Sequence, residues 1–232
     1  MAKTTGTVLK IRMTFLEEVL GSAPSNPEIY HDYIASKAPD AKSKEEEIAS
    51  VGTGDYEDRM MTIFCRDEDD NPIVYDYTIK GMLKDSCGFL RRVKGSECAG
   101  VKAYKKIIDG LIFPSPRKIK LVPPKGKESV DIDYCQRPLR ASTPQGDRNA
   151  LAISETAPAG SSIQFDLLVL DPGAVPMIKE CLDYGVLHGF GQWRNSGKGR
   201  FSYEIISEKE VSVLDIIKNY RDAYKMAIAS SF

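Results

Sequence analysis

The chain has 232 residues, a formal net charge of −1, 42% hydrophobic residues and 28% charged residues. That is enough chain to bury a sizeable core, with the balance of an ordinary water-soluble fold. It excludes a polycationic tail, and it excludes a helical membrane span, because no apolar run approaches the ~20 residues a bilayer requires.

The N-terminal stretch MAKTTGTVLKIR has no hydrophobic leader, so the expected location is the reducing cytoplasm. VLKIRMTF (8–15) alternates, with Leu9, Ile11, Met13 and Phe15 on one face and Lys10, Arg12 and Thr14 on the other. That is a half-buried strand with a cationic outer face. NPEIYHDYIASKAP reads as a short helix begun by Asn26-Pro27, and KSKEEEIASV as an exposed acidic helix. Both are taken as part of an insertion at about 16–77 rather than as core. MMTIFC (60–65) and IVYDY (73–77) flank an acidic turn and predict a hairpin.

Residues 78–92 follow as a helix. Ile79, Met82, Leu83, Ser86, Phe89 and Leu90 share one arc, with Lys80, Lys84 and Arg91 on the next. VKAYKKIIDGLIF predicts a second helix with Val101, Tyr104, Ile108 and Leu111 on one side. Residues 114–150 read as loop with short strands at KIKLV and DIDYC. SIQFDLLVL (162–170) alternates as a strand, DPGAVPMIKECLDYGVL is a helix after a Pro-Gly turn, and RFSYEII resumes strand alternation. The end of the chain, about 208–230, predicts a C-terminal helix with S-x-x-E and S-x-x-D capping options and a stripe running through Leu214, Ile217, Arg221, Tyr224 and Ile228. No repeat or low-complexity linker interrupts residues 1–232, so a single domain is expected.

With a net charge near zero, an anion site has to come from local clustering. Acids segregate to 43–48 and 66–71, and bases to 80–148 and 189–200. The densest feature is GFGQWRNSGKGRF (189–201), which holds Gly189, Gly191, Gly197 and Gly199, the cations Arg194, Lys198 and Arg200, Asn195, and the chain's single tryptophan, Trp193. It is neither a P-loop nor a strand-to-helix G-x-G-x-x-G, since a helix precedes it and a strand follows. A left-handed helix cap and a tight return account for the glycines. The concentrated cations suggest phosphate contacts, and Trp193 offers either a base-stacking face or a core anchor. Arg137, Arg140 and Arg148 in CQRPLRASTPQGDR form a further candidate set of phosphate donors; the plainer alternative is a solvated loop held by Asp131 and Asp133.

These residues carry a family resemblance. The glycine-rich loop late in the chain resembles that of the RAMP superfamily, the ferredoxin-like proteins that include backbone and processing subunits of CRISPR effector complexes. YTIKGMLKDSCGFLRR resembles the family's S-x-L-K-G-x-L-R helix start, and SETAPAGSSIQFDLLVLD looks like the strand leading into its last helix. The chain as a whole is also similar to proteins of phages and prophages. The resemblance implies an α+β fold with a ferredoxin-like (RRM-like) β-α-β-β-α-β core, insertions and a C-terminal helix. It also implies RNA bound between the glycine-rich loop and the first helix. By position it nominates Gly189, Gly191, Arg194, Asn195, Gly197, Lys198 and Arg200 from the loop, and Lys80, Lys84 and Arg91 from the helix. Trp193, Arg137 and Arg140 join them on composition.

Catalysis has one weak candidate. His188 abuts the loop, as a processing ribonuclease's general base would, but the sequence shows no partner acid, and a helix-end histidine is more simply a cation favoured by the dipole. The five cysteines, Cys65, Cys87, Cys98, Cys135 and Cys181, are odd in number and far apart, without CxxC or Cys/His pairs, so neither a disulfide framework nor a metal site is indicated. The expectation is a non-catalytic nucleic-acid-binding protein without cofactor or metal, its ligand single-stranded RNA rather than DNA. The competing readings are a phage protein that mimics or inhibits a host defence component through protein contacts, possible self-assembly, and a small-nucleotide binder.

Overall fold

A computed structural model describes residues 5–25, 61–143 and 146–218, with side chains outside 138–151. The alternation read in 8–15 becomes strand β1 (Thr5–Phe15), whose Leu9, Ile11, Met13 and Phe15 are 0–1% exposed. Each such side chain contributes about 1.5–3 kcal/mol by leaving water, so this strand anchors the core. It lies antiparallel between β11 (Ser162–Val169) and β12 (Phe201–Ser212), with Ile11 opposite Phe165 on one side and Ile205 on the other. A register shift between Lys10 and Ile11 marks a bulge in the β12 pairing.

The sheet continues past β11 to β8 (Lys118–Val122), β6 (Pro72–Tyr75) and β5 (Cys65–Arg66), while β7 (Ile112–Ser115) also pairs with β11. Helix α1 (Asp76–Leu90) connects β1's side of the chain to β7 and β8, and α3 (Val175–His188) connects β11 to β12. Counted along the chain, the core strands lie in the spatial order fourth, first, third, second, all antiparallel to their neighbours. This is the ferredoxin-like β-α-β-β-α-β arrangement, in which each helix crosses one intervening strand. Ile79, Met82, Leu83 and Cys87 of α1 and Ile178, Cys181 and Leu182 of α3 join the apolar face of β1 and β11 in one cluster.

Several expectations shift. The first helix begins at Asp76, two residues early, because Tyr75 is the last extended residue and the Asp76 N–H donates to the Arg117 carbonyl. The predicted hairpin survives only as β5 against β6. β4 (Met61–Ile63) joins a second, five-stranded sheet with β2 (Val19–Leu20), β3 (Ala23–Pro24), β9 (Asp133–Thr143) and β10 (Gly146–Ala157). The described parts of the presumed insertion are therefore not peripheral, and Val19, Phe64 and Val74 sit in the main core. The two helices expected within 26–58 lie outside the described residues.

The second helix is shorter than the pattern implied, α2 (Tyr104–Leu111), and only Ile108 is buried on it; Ile112 already belongs to β7. The stretch read as loop at 135–148 is the arm of a long hairpin, β9 with β10, in register from Asp133–Thr156 to Thr143–Gly146. β12 runs on to Ser212, so the C-terminal helix, α4, starts at 213 rather than 208, selecting the S-x-x-D option over S-x-x-E. Its described part ends at 218.

Helix α3 gives a direct check on this packing. A Cβ added at Gly185 would stand 2.8 Å from Phe201 Cζ, whereas Leu187, two residues on, is 74% exposed. Gly185→Val is expected to cost about 1–3 kcal/mol by overpacking α3 against β12. Leu187→Ala should stay within about 0.5 kcal/mol of the parent. Thermal unfolding followed by circular dichroism reads both; equal effects would place the helix face wrongly.

Candidate nucleic-acid interface

Helix α3 ends at His188, and Gly189 turns the chain with φ 86°. Phe190 then returns to the core, 2% exposed, its ring 5.8 Å from that of Phe15. Its N–H donates to the Gly199 carbonyl at 2.8 Å, and the Gly199 N–H donates to the Glu18 carbonyl at 2.7 Å. A Cβ on Gly199 would lie 1.9 Å from the Phe190 oxygen, and φ there is 69°, so no side chain fits. The loop between them includes a one-turn 3₁₀ segment, Arg194–Ser196, entered through Trp193 at φ 54°.

The loop's cations are largely committed to holding it. Arg194 Nη1 donates to Asp85 Oδ2 on α1, and His188 Nε2 stands 3.3 Å from the same oxygen. Lys198 Nζ donates to Glu18 Oε2 at 2.6 Å, a hydrogen bond that holds the amine above the usual lysine range. The Arg137 guanidinium lies 5.0 Å over the Trp193 ring and donates to Gln192 Oε1 at 3.3 Å. One face of the tryptophan is thus occupied by an internal partner. Arg200 and Asn195 are exposed, and Arg200 has no ion-pair partner among the described residues. Two of the three loop cations are braces, because α1 and the β1–β2 turn each present a carboxylate within reach.

What the braces create is a groove of about 660 Å³ between the loop and α1, closed at one end by α2. Its α1 wall is one helical face, Thr78, Gly81, Asp85 and Gly88, followed by Arg92 just past the helix end; Gly189, Gly191, Gln192 and Arg194 form the opposite wall, with Tyr104 and Lys105 from α2. Four cations, Lys84, Arg92, Lys105 and Arg194, face one carboxylate, Asp85. Arg92 and Lys105 are exposed and have no ion-pair partner among the described residues. Gly81 has open space where a Cβ would be, so the helix backbone is approachable there. Tyr77, Phe89 and Tyr104 add aromatic surface.

The loop and the first helix therefore meet as expected, but the helix cations divide. Lys84 lines the groove while donating to Asp109 Oδ1 at 2.9 Å. Lys80 turns away to the Asp109 carbonyl at 3.0 Å and the Phe113 ring at 4.7 Å, and partial burial lowers it below the usual lysine range. Arg91 covers the Tyr104 ring at 5.1 Å outside the groove. The helix stops at Leu90, so helical spacing no longer applies there, and Arg92 is the arginine that enters. Lys105 had no sequence signal, because only the docking of α2 against α1 brings it to the site. Trp193, Asn195, Gly197, Lys198, Arg200 and Arg137 lie outside the groove lining. Arg140 belongs to β9, but its side chain is outside those described.

His188 has the acidic neighbour the sequence did not reveal, but Asp85 is shared with Arg194, and the ring packs against Tyr184 and Phe89 with centroids 5.2 and 5.3 Å apart. The cysteines, far apart in sequence, converge in space: the sulfurs of Cys87, Cys98 and Cys181 all lie within 4.8 Å of one another and none of the three is exposed. Burial pushes the Cys98 thiol up to about 12 and raises Cys87 and Cys181 as well, so at neutral pH they are neutral thiols without nucleophilic character.

No family model matches this sequence, and no curated protein matches it. Among solved structures, a chain of the Type III-B Cmr-beta complex bound to cognate target RNA, determined by cryo-EM, superposes with a TM-score of 0.52 and 11% identity over 90% of this chain. This chain spans 61% of that chain's length. A chain of a Type IV-B CRISPR complex gives a TM-score of 0.43 and 11% identity, with 86% of this chain and 90% of that one covered. The first likeness is one of fold; at its score the second carries no weight. No helix among the described residues is long and apolar enough to cross a membrane.

Two measurements check the site. Gly199→Ala is expected to cost roughly 2–4 kcal/mol, since backbone must separate at the crossing, and a stability within 0.5 kcal/mol of the parent in denaturant melts would contradict it. Alkylation of the native protein followed by peptide mapping should label half-exposed Cys135 first and leave Cys65, Cys87, Cys98 and Cys181 protected. Equal rates would show that the cluster is open.

Proposed function

We propose that this chain is a non-catalytic, RAMP-like nucleic-acid-binding module that holds single-stranded RNA along the groove between the glycine-rich loop and α1. The observation that carries the reading is the charge of the groove, four cations against one carboxylate in a chain of net charge −1. Arg92 and Lys105 are the phosphate contacts in this reading, with Arg194 and Lys84 contributing field while they brace neighbouring elements. Gly81 lets a sugar–phosphate backbone approach the helix, and the aromatic rims suit splayed bases. Likeness in fold to a chain of a complex bound to target RNA favours RNA over DNA.

Binding of a labelled single-stranded RNA, followed by fluorescence anisotropy across a salt series, tests it. Wild-type affinity should fall steeply with salt. The double variant Arg92→Ala, Lys105→Ala should bind about tenfold or more weakly at low salt, with the salt slope shallower by about 1.4, at ~0.7 per lost single-strand phosphate contact. Salt-independent binding, or an unchanged slope in the double variant, would sink the reading. The protein-contact alternative draws on a different surface, an apolar hollow formed by Val8, Phe113, Leu168, Val213 and Ile217 on the sheet's other face. A stoichiometric protein retained from nuclease-treated lysate, with no RNA affinity in the anisotropy series, decides for that alternative.

A further inference from the structure

Three cysteines from three separate elements meet at one point. Cys87 comes from the last turn of α1, Cys98 from the irregular connection between α1 and α2, and Cys181 from the middle of α3. All three are 0% exposed, their sulfurs lie within 4.8 Å of one another, and Cys98 Sγ is 3.7 Å from Cys181 Sγ. Sulfurs around a tetrahedral zinc ion, at ~2.3 Å from the metal, stand about 3.8 Å apart. A disulfide would need about 2.05 Å, far inside the observed separation. The three sulfurs thus stand at separations a single ion could bridge.

A carboxylate stands beside them. Glu180, next to Cys181 on α3, accepts from Ser96 Oγ at 2.7 Å and from the Cys98 N–H at 3.1 Å through the same Oε2. The carboxylate therefore holds Ser96 and the backbone of Cys98 in place, the kind of support that positions metal ligands.

We propose that Cys87, Cys98 and Cys181 bind a single zinc-class divalent ion, with Glu180 holding the Cys98 backbone in place. Each thiol gives its proton to solvent as its sulfur takes the metal, with no change of oxidation state. The three sulfurs are fully buried and come from three separate elements, so the ion is a structural cross-link whose fourth position is left to a non-cysteine donor. It ties the end of α1 and the 91–103 connection to α3, and so fixes where Arg92 and α2 leave the core. The site stands independently of the RNA reading.

Protein purified without chelator is analysed for metal by inductively coupled plasma mass spectrometry, and metal-free protein is titrated with cobalt(II). The expected results are a single zinc ion per chain and a thiolate-to-cobalt charge-transfer absorption. Cys98→Ser and Cys181→Ser should lose both, Cys65→Ser and Cys135→Ser neither. Glu180→Gln should keep the charge-transfer band with roughly 10–100-fold weaker binding. Absence of metal in the wild-type protein together with no charge-transfer band on cobalt addition overturns the proposal, whatever the folding of the variants. So does an oxidised Cys98–Cys181 pair, or full metal content in Cys98→Ser and Cys181→Ser.

Discussion

Phe190 and Gly199 cross at backbone contact, with the Phe190 carbonyl occupying the place of any side chain at 199. That crossing sets everything beyond it. It sends the Phe190 ring into the core beside Phe15, hands the Gly199 N–H to Glu18 and forces residues 191–198 outward as a closed loop. A loop closed at its neck has few conformations, so it forms one stable wall of a groove. The glycines are thus explained by sterics at the neck and by φ in the return.

The cations in the loop obey a different logic. The Arg194–Asp85 and Lys198–Glu18 pairs are partly exposed, and such pairs stabilise by only about 0–1 kcal/mol. Their value is positional. Asp85 sits on the groove face of α1 and receives Arg194 from across the groove, fixing the spacing of the two walls, while Glu18 fixes the loop's far end to the β1–β2 turn. The charge left for a ligand comes instead from Arg92 and Lys105, which no internal carboxylate claims among the described residues. One set of basic residues builds the groove and another set electrifies it.

The same helix joins both features of the molecule. One face of α1 carries Gly81, Asp85 and Gly88 toward the groove, and another carries Cys87 toward the sulfur cluster with α3. The α1–α2 connection, which has no regular structure of its own between 91 and 103, lies between them and delivers Arg92 to one and Cys98 to the other. A constraint on that connection is a constraint on the groove's charged end.

Period-2 alternation in 8–15, 162–170 and 201–206 and the 3.6-residue stripe of 78–92 made three strands and the first helix of the core legible, because those periods follow from backbone geometry, while the ferredoxin-like arrangement was an expectation of the family resemblance. The glycine-rich loop was legible through local turn chemistry, and its place beside the first helix was what the family resemblance implied. Tertiary structure decided what depends on neighbours distant in sequence. Whether Lys80, Lys84 or Arg194 is free turns on a carbonyl and two carboxylates 25 or more residues away. Arg92 and Lys105 become a pair only when α2 docks on α1, and Cys87, Cys98 and Cys181 become a cluster only when α3 packs beside α1. Periodicity is a property of one segment, whereas charge pairing and sulfur convergence are properties of the space between segments, which no local pattern encodes.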